Sequence, residues 1–397
     1  MSNAIIQSVD IQTAPDNGGS SLLAATVTTA DGSATHSTAT ADGISLTPKS
    51  VQDLALKITN SLLGIDAAHQ QEVDSILVQI TETHEPGPAT NAVLNTVSGA
   101  TAVTAAQITQ TPLHQHLRAL ANTNGGTAVP RIYASLISGG PRNTSPLSFN
   151  ALSIIPETDN AERARKVIRD IKTALGTVLR TQTQEDELPV GRDGAFSPRT
   201  IEFNQAGLEM LLEGVAEAFP EVKIRLAIDA GGPQVFQDDA YHIDQQKLSA
   251  TQLQGYYDYL IERFHIHSIQ DPFDRSTLDQ FQAMRQRHPD LEIVGGELVR
   301  EGIDQLHQAH DKAGISAVSI VPTDARTLSE TLTLIRAAHD ASLHCIISHG
   351  QNETPTSLSA DLAVGCGCSG LRPGAPGTPG NDATYERLIE ITHHESN

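Results

Sequence analysis

The sequence predicts an α/β protein in which a closed βα-barrel follows a smaller N-terminal α+β domain. At 397 residues, the chain is longer than one ordinary domain. Over roughly 250 residues of its second part, apolar runs typical of strands alternate with helical segments, and so many strand–helix units favour a closed barrel over an open sheet. In the first part, the strand patterns come together and the helical patterns follow them.

The elements of the first part can be placed in order. Residues 1 to about 45 alternate β-rich runs such as "SLLAATVTTADGS" with Gly, Asp and Ser turns, which predicts a small antiparallel meander. From Ser50 to Asn122 the apolar residues recur at helical spacing, as in "SVQDLALKITNSLLG". The Gly-rich turn "NTNGG" then precedes an apolar strand. We therefore place the N-terminal domain at residues 1–127 and the barrel at residues 128–397.

The strands of the predicted barrel end at residues that are candidates for a functional site. Runs such as "LSIIP", "KIRLAID", "HSIQD", "LEIVGGE", "AVSIV" and "LHCIISHG" alternate with helical segments, which predicts a parallel sheet. The active sites of βα-barrels lie at the carboxyl ends of the strands. The residues at these ends are Asp229, Gln270, Gly296, Glu297, Val321 and His349.

Composition and charge exclude several classes of partner. The chain carries 47 Asp and Glu against 26 Lys and Arg, a formal charge of -21, which argues against binding to nucleic acid or to an anionic membrane surface. There is no apolar run long enough to span a bilayer and no basic-then-apolar start. Three cysteines are too few for a disulfide framework and suit a reducing compartment. We therefore expect a soluble, cytoplasmic protein.

Several short blocks of the sequence resemble those of one enzyme family. "SLISGG", "VGRDGAFSP", "LAIDAGG", "SIQDPFD", "IVGGELV", "TLSET", "SHGQNET", "ADLAVG" and "GLRPGAP" occur in this order. Together they resemble enolase, the phosphopyruvate hydratase of glycolysis. The resemblance implies an eight-fold enolase-type barrel under an N-terminal capping domain, commonly as a homodimer. It also implies Mg²⁺ as cofactor and a phosphorylated anionic substrate, in the interconversion of 2-phosphoglycerate and phosphoenolpyruvate.

The metal-ligand positions that the resemblance implies are only partly retained. The first carboxylate is present as Asp229, whereas the second position, Glu in the family, is Gln270. An amide oxygen attracts a divalent ion much less than a carboxylate does. The family's "VGDDL" is "VGGEL" here, so Gly296 stands at the third position, with Glu297 one residue later. A one-residue shift along a strand points a side chain to the opposite face. Mg²⁺ binding is therefore expected to be weak or absent.

The catalytic positions are substituted as well. The resemblance places the proton-abstracting Lys at Val321, and the Lys of the family's "KTGAP" at Arg372. The two carboxylates that assist loss of the hydroxyl fall at Asp193 and Ala151. Loss of a catalytic base alone costs ~10²–10⁴-fold in rate. Asp193, His349 and Arg372 are the catalytic candidates that remain.

The family's phosphate-binding loop and lid are also altered. The "SHRSGET" loop keeps His349 and Glu353, but its phosphate-holding Arg and Ser are Gly350 and Gln351. His349 and Arg372 therefore remain as the candidates for binding substrate. "THSTATADG", residues 35–43, is the nearest counterpart of the lid.

Each candidate residue also has a structural interpretation. Asp229 and Asp193 suit turns, His349 suits a satisfied buried histidine, and Arg372 suits an ion pair with neighbouring acids. Three hypotheses for function follow. The first is an impaired or non-catalytic enolase homologue, and the second is a working Mg²⁺-dependent phosphopyruvate hydratase. The third is a related lyase that acts on another acidic substrate through Asp193, His349 and Arg372.

Overall fold

The first part of the chain folds into a three-stranded sheet covered by helices. The computed structural model describes residues 4–15, 21–40, 44, 46–83, 87–123, 128–350, 354–356 and 358–395. Strands β1 (Ile6–Pro15), β2 (Ser21–Thr29) and β3 (Ser33–Ala39) form an antiparallel sheet in the order β1-β2-β3. Alternate residues of β2 are buried, which is the period expected of a strand with one face on a core. The predicted meander is confirmed.

Four helices follow this sheet: α1 (Pro48–Leu62), α2 (Gln70–Thr83), α3 (Pro88–Ile108) and α4 (Leu113–Ala121). Helix α3 is buried along most of its length, because its Ala, Thr, Ser and Gly residues allow close packing. A Cβ at Gly99 would lie 2.4 Å from the His36 ring, so only glycine permits this approach of α3 to β3.

Three hydrophobic cores run through the described parts of the molecule. The first joins β1 and β2 to α1, α2 and α3, and the second lies between the barrel strands and the helices around them. A small third core joins barrel residues such as Tyr133, Ile155 and Ala227. Leu117 and Ala121 of α4 belong to the second core, so α4 packs on the barrel. We propose that the first two cores mark the domains placed at residues 1–127 and 128–397, with α4 packed across the boundary. Residues 124–127 at the boundary lie outside the described residues.

The second part of the chain forms a barrel surrounded by helices. Its strands are β4 (Arg131–Ile132), β5 (Ala134–Ser138), β6 (Ala151–Pro156), β7 (Ile224–Asp229), β11 (Ile266–Gln270), β12 (Glu292–Gly295), β13 (Ala317–Ile320), β14 (His344–Ser348) and β15 (Gly370–Arg372), and a small sheet of β8 (Phe236–Gln237), β9 (Ala240–Ile243) and β10 (Gln246–Leu248) lies beside them. The helices are α5 (Ala161–Thr183), α6 (Asn204–Ala218), α7 (Gly232–Val235), α8 (Ala250–Phe264), α9 (Leu278–Arg287), α10 (Ile303–Gln308), α11 (Leu328–Asp340), α12 (Ser359–Gly365) and α13 (Pro379–Glu395).

The barrel closes through its first strand. The strand order is β4-β15-β14-β13-β12-β11-β7-β6-β5. β4 and β5 are separated only by Tyr133, whose N–H donates to the Leu371 carbonyl at 2.9 Å. They are therefore one strand that pairs with β15 at its start and with β6 at its end. The closed βα-barrel predicted from the sequence is confirmed.

One strand departs from the expected parallel sheet. β6 is antiparallel to both of its neighbours, β5 and β7. The connection from β5 to β6 contains no helix, so the chain turns back directly. Two helices, α5 and α6, then lead to β7, which again runs parallel to β11. As a result Ala151 at the start of β6 lies beside Asp229 at the end of β7.

Candidate active site

A cleft of about 1610 Å³ opens at the carboxyl ends of the barrel strands. The strand-end residues predicted from the sequence line it, as do the loop of residues 139–150 and part of the N-terminal domain. Ala39, Thr40 and Ile44, in and beside the predicted lid segment, reach the cleft. Residues 41–43 of that segment, together with Gln351 and Glu353, lie outside the described residues.

Asp229 is the centre of a buried polar cluster in this cleft. Arg372 Nη1 and Gln270 Nε2 each donate to Asp229 Oδ2 at 3.1 Å, and Asn150 Nδ2 donates to Oδ1 at 3.2 Å. Gln270 and Asp229 are partners in the register of β11 and β7, which places both side chains on one face. Arg372 comes from β15, on a side chain long enough to cross the barrel mouth.

This ion pair is shielded from water. Arg372 is only 4% exposed and the Asp229 side chain 14%. Burial raises the pKa of Asp229, while the Arg372 guanidinium opposes that rise. The pair therefore has the character of a buried salt bridge, which is costly to break from either side.

The amide of Gln270 has a fixed orientation. Its Nε2 donates to Asp229 Oδ2 and, at 3.3 Å, to Asp271 Oδ2. Because carboxylates accept hydrogen bonds, the nitrogen must face these two side chains. Gln270 Oε1 is buried and has no hydrogen-bond partner among the described residues. The NH₂ group of Gln270, and not its amide oxygen, therefore faces Asp229.

Asp271 fills the space beside Gly296. Its Oδ1 accepts from the backbone N–H groups of Gly296 at 2.8 Å and Glu297 at 3.1 Å. Burial and the nearby Asp229 charge raise the pKa of Asp271 to about 7. A Cβ at Gly296 would lie 2.6 Å from Asp271 Oδ2 and 2.8 Å from Gln270 Nε2. The side chains of Asp271 and Gln270 thus occupy the space that a side chain at position 296 would need.

Glu297 lies at the rim of the cleft, where its carboxylate is paired. Arg300 Nη1 donates to Glu297 Oε1 at 2.8 Å, and Arg300 Nε lies 2.9 Å from Asp324 Oδ2. Glu297 lies near enough to Asp229 for its charge to raise the pKa of that group. Its carboxylate nevertheless pairs with Arg300 on the rim, which is consistent with the one-residue shift seen in the sequence.

The position expected to carry a basic nitrogen is apolar. Val321 directly follows β13 and lines the cleft. Among the described residues that line the cleft there is no lysine, and Lys312 is the sole lysine of residues 248–397. Arg372 is permanently protonated and accepts no proton.

His349 also lines the cleft, and an imidazole can accept or donate a proton. It follows β14, and its backbone N–H donates to the Arg372 carbonyl at 2.9 Å. His349 Nδ1 lies 2.5 Å from the Gly350 carbonyl oxygen. Because a carbonyl only accepts, Nδ1 carries the hydrogen, and Nε2 of the neutral ring is left as the acceptor.

Asp193 lies in the loop between α5 and α6 and is held by local contacts. Ser138 Oγ donates to its Oδ2 at 2.5 Å, and the Ala195 N–H donates to Oδ1 at 3.1 Å. The contact with Ala195 is the turn interaction typical of Asp. Asp193 also lines the cleft, as does Ala151, so the structure brings both positions to the same opening.

Sequence reasoning missed Asn150 and Arg142. Asn150 donates to Asp229, and Arg142 is exposed at the cleft on the loop after β5. Burial raises the pKa of Asp324, and Arg300 and Arg142 oppose that rise. Both missed residues lie in "GGPRNTSPLSFN", a Gly-rich loop after a barrel strand, and that position was the available signal.

Comparison with known proteins accounts for this arrangement. The family model described as "Enolase, C-terminal TIM barrel domain" matches residues 127–396. The chain belongs to the enolase family. It is 28% identical over 344 residues to a protein of Methanosarcina barkeri named "Enolase", covering 86% of this chain and 79% of that protein. A Methanococcoides burtonii protein of the same name is 29% identical over 349 residues, covering 86% and 80%.

A third relative is similarly distant. The "Enolase" of Nitratiruptor sp. is 26% identical over 352 residues, covering 86% of this chain and 81% of that protein. This enolase-family chain is thus a divergent member. No helix in the described parts of the chain has the length and apolar character needed to cross a membrane.

The Mg²⁺ that membership of the enolase family implies does not fit the side chains in this cleft. Mg²⁺ requires oxygen ligands in near-octahedral geometry. Asp229 faces three nitrogen donors, one of them cationic, and Gln270 turns its NH₂ toward the same place. Over the described residues, no group of three or more His, Cys, Asp or Glu is arranged to hold a metal ion.

Proposed function

We propose that this enolase-family protein binds a small carboxylate or phosphate anion at the barrel mouth and does not interconvert 2-phosphoglycerate and phosphoenolpyruvate at the rate of a working enolase. The observation that carries the proposal is the apolar Val321 at the base position, in a cleft whose described lining holds no lysine.

The chemistry explains why this observation is decisive. The proton to be removed lies beside a carboxylate, and its removal needs both a base and a stabilised ene-diolate. Valine has no lone pair, and Arg372 supplies positive charge but accepts no proton. Asp229, the retained metal carboxylate, is already neutralised by Arg372. The cleft therefore lacks both the side chain expected to act as base and a free carboxylate to hold the metal ion that stabilises the ene-diolate.

Cations in the cleft support the binding of an anion. Arg372 is buried at the bottom of the cleft, and Arg142 is exposed on the loop after β5. In a chain with a formal charge of -21, guanidinium groups at a cleft provide a local site for a carboxylate or phosphate. A phosphorylated three-carbon acid related to the family's substrate is the ligand we favour.

Further features of the proposal follow from the family and the composition. We propose a cytoplasmic homodimer with little or no Mg²⁺ in the cleft. The three cysteines are buried free thiols, which supports a reducing compartment. Family membership supports the dimer.

The proposal is tested by hydrogen exchange in heavy water. With 2-phosphoglycerate and saturating Mg²⁺, we expect no exchange of the C2 proton with deuterium over hours by NMR and no phosphoenolpyruvate by absorbance. A catalytically active enolase is the positive control. Turnover near ~10 s⁻¹, an ordinary rate for an enzyme, would refute the proposal.

His349 supports a second candidate function, proton abstraction from another acid. The contact with Gly350 leaves Nε2 as a proton acceptor in the cleft. The same exchange experiment separates the candidates. Exchange that the parent shows and His349→Ala lacks would identify a relocated base and favour an active enzyme, whereas exchange that survives in His349→Ala would show that another residue acts as base.

Anion binding makes a separate prediction. Arg142→Ala and Arg372→Ala are each expected to weaken binding of phosphoenolpyruvate by about ten-fold, because each removes a charge-assisted contact. Calorimetry in the presence of EDTA measures this effect. Arg163→Ala is the matched control, since Arg163 pairs with Glu221 on the outside of the barrel. Unchanged affinity in both cleft variants would place the ligand elsewhere.

A further inference from the structure

We infer that the guanidinium of Arg372 and a divalent metal ion are alternative occupants of the site beside Asp229, with Arg372 as the resident cation of this protein. The inference deepens the proposed function, since it states what allows this cleft to hold an anion without a metal. It rests on the contacts of four side chains and on the space around Gly296.

Arg372 offsets part of the negative charge at the site. The side chains of Asp229 and Asp271 lie close together, since Gln270 Nε2 is 3.1 Å from Asp229 Oδ2 and 3.3 Å from Asp271 Oδ2. Arg372 is the one cation in hydrogen-bond contact with Asp229 among the described residues, at 3.1 Å, and it is almost completely buried. A buried guanidinium in contact with a carboxylate does the charge-balancing that a divalent ion does elsewhere.

The neighbouring side chains have adapted to this cation. Gln270 Nε2 bridges Asp229 and Asp271, and a side chain at position 296 would collide with both Gln270 and Asp271. The cleft therefore holds a hydrogen-bonded network around Asp229 in which Arg372 is the cation. In the double variant Gln270→Glu with Gly296→Asp, Arg372 would still occupy the site beside Asp229. Adding the two carboxylates alone therefore does not free the site for a metal ion.

Removal of Arg372 leaves oxygen ligands without a cation. Asp229 Oδ2 loses its charged partner, and Gln270 Oε1 is already a buried acceptor without a hydrogen-bond partner in the described part of the chain. Rotation of the Gln270 amide presents that oxygen beside the carboxylate. One carboxylate and one amide oxygen, completed by water, are ligands that Mg²⁺ or Mn²⁺ accepts.

Another arginine offers a matched control. Arg387 donates to both oxygens of the buried Asp361, Nε to Oδ2 at 2.8 Å and Nη2 to Oδ1 at 2.7 Å. Arg387→Ala thus also removes a guanidinium from a buried carboxylate. Neither Arg387 nor Asp361 lines the cleft.

The test measures binding of Mn²⁺ alone, by the loss of the free-ion electron paramagnetic resonance signal at neutral pH. The parent and Arg387→Ala are expected to bind no Mn²⁺ at the site up to about 1 mM, whereas Arg372→Ala binds at least about ten-fold more tightly. Asp229→Asn added to Arg372→Ala is expected to remove the gained binding.

Two outcomes would overturn the inference: a parent that binds Mn²⁺ as tightly as Arg372→Ala, or an Arg372→Ala variant that gains none. If Arg372→Ala does not fold, Arg372→Gln, which is longer and neutral, replaces it under the same criteria. No substrate is present, so the result is independent of the exchange experiment. Exchange by the parent would refute the proposed function and leave the Mn²⁺ result unchanged.

Discussion

Replacing Asp74 by alanine is expected to destabilise the protein by about 3 kcal/mol and to loosen the N-terminal domain from the barrel. Asp74 belongs to α2 and is 2% exposed. Its Oδ2 accepts from the Ser329 N–H at 2.9 Å, and its Oδ1 accepts from Ser98 Oγ at 2.6 Å and Gln70 Nε2 at 3.0 Å. Alanine removes this acceptor from the Ser329 N–H and from Ser98 Oγ, whereas Gln70 Nε2 still donates to Ser98.

The contact matters because it caps a barrel helix from another part of the chain. Ser98 Oγ accepts from the Leu328 N–H at 2.9 Å, so the first two amides of α11 both bond to α2 and α3. Thr327, the N-cap of α11, accepts from the third amide, that of Glu330. A helix begins with N–H groups that lack partners within the helix. Here the N-terminal domain supplies the acceptors for two of these N–H groups.

Hydrogen exchange and thermal unfolding measure the effect. In Asp74→Ala, the amides of Leu328 and Ser329 are expected to exchange faster than in the parent, and the unfolding midpoint falls. Asp53→Ala removes an exposed acid of α1 and is the control. Equal midpoints and equal amide exchange in both variants would show that the contact does not hold α11 to the N-terminal domain.

Much of the fold is encoded in local patterns. The β-rich start, the helical segments after it and the strand–helix alternation each depend on residues close in sequence, so the meander and the barrel were predicted. The direction of β6 was not. "LSIIP" is fully buried and has the same pattern in a parallel or an antiparallel strand. The direction of β6 depends on the path of the connection between β5 and β6. A short sequence pattern does not specify that path.

The candidate site was predicted residue by residue but not as a network. The sequence placed Asp229, Gln270 and Arg372 at the barrel mouth, and the structure places all three in contact. Their pairing depends on the reach of one side chain across the mouth. The sequence also identified Gly296 as an absent ligand. That Gln270 and Asp271 fill the space beside it is a property of packing, which spacing along the chain does not specify.

At the opposite end of the barrel, Glu292→Gln is expected to lower the stability at pH 7 by about 3 kcal/mol and to flatten its dependence on acidic pH. Glu292 begins β12 and is 5% exposed. Tyr133 Oη donates to its Oε2 at 2.6 Å, His344 Nδ1 lies 2.9 Å from Oε1, and Arg131 Nη1 lies 3.7 Å away. Glutamine keeps the shape but loses the charge that these groups face.

The direction of the pH effect follows from the pKa of Glu292. Burial alone would raise that pKa, but the contacts with His344, Tyr133 and Arg131 outweigh it and lower the pKa from 4.5 to about 2. The stabilisation by the ionised carboxylate is therefore complete above the unfolded value of 4.5 and is lost as the pH falls towards 2. Urea unfolding at pH 7 and pH 3 measures it, with the exposed Glu262→Gln as control. If Glu292→Gln lost as much stability on acidification as the parent, other carboxylates would have to account for the acid sensitivity of the barrel.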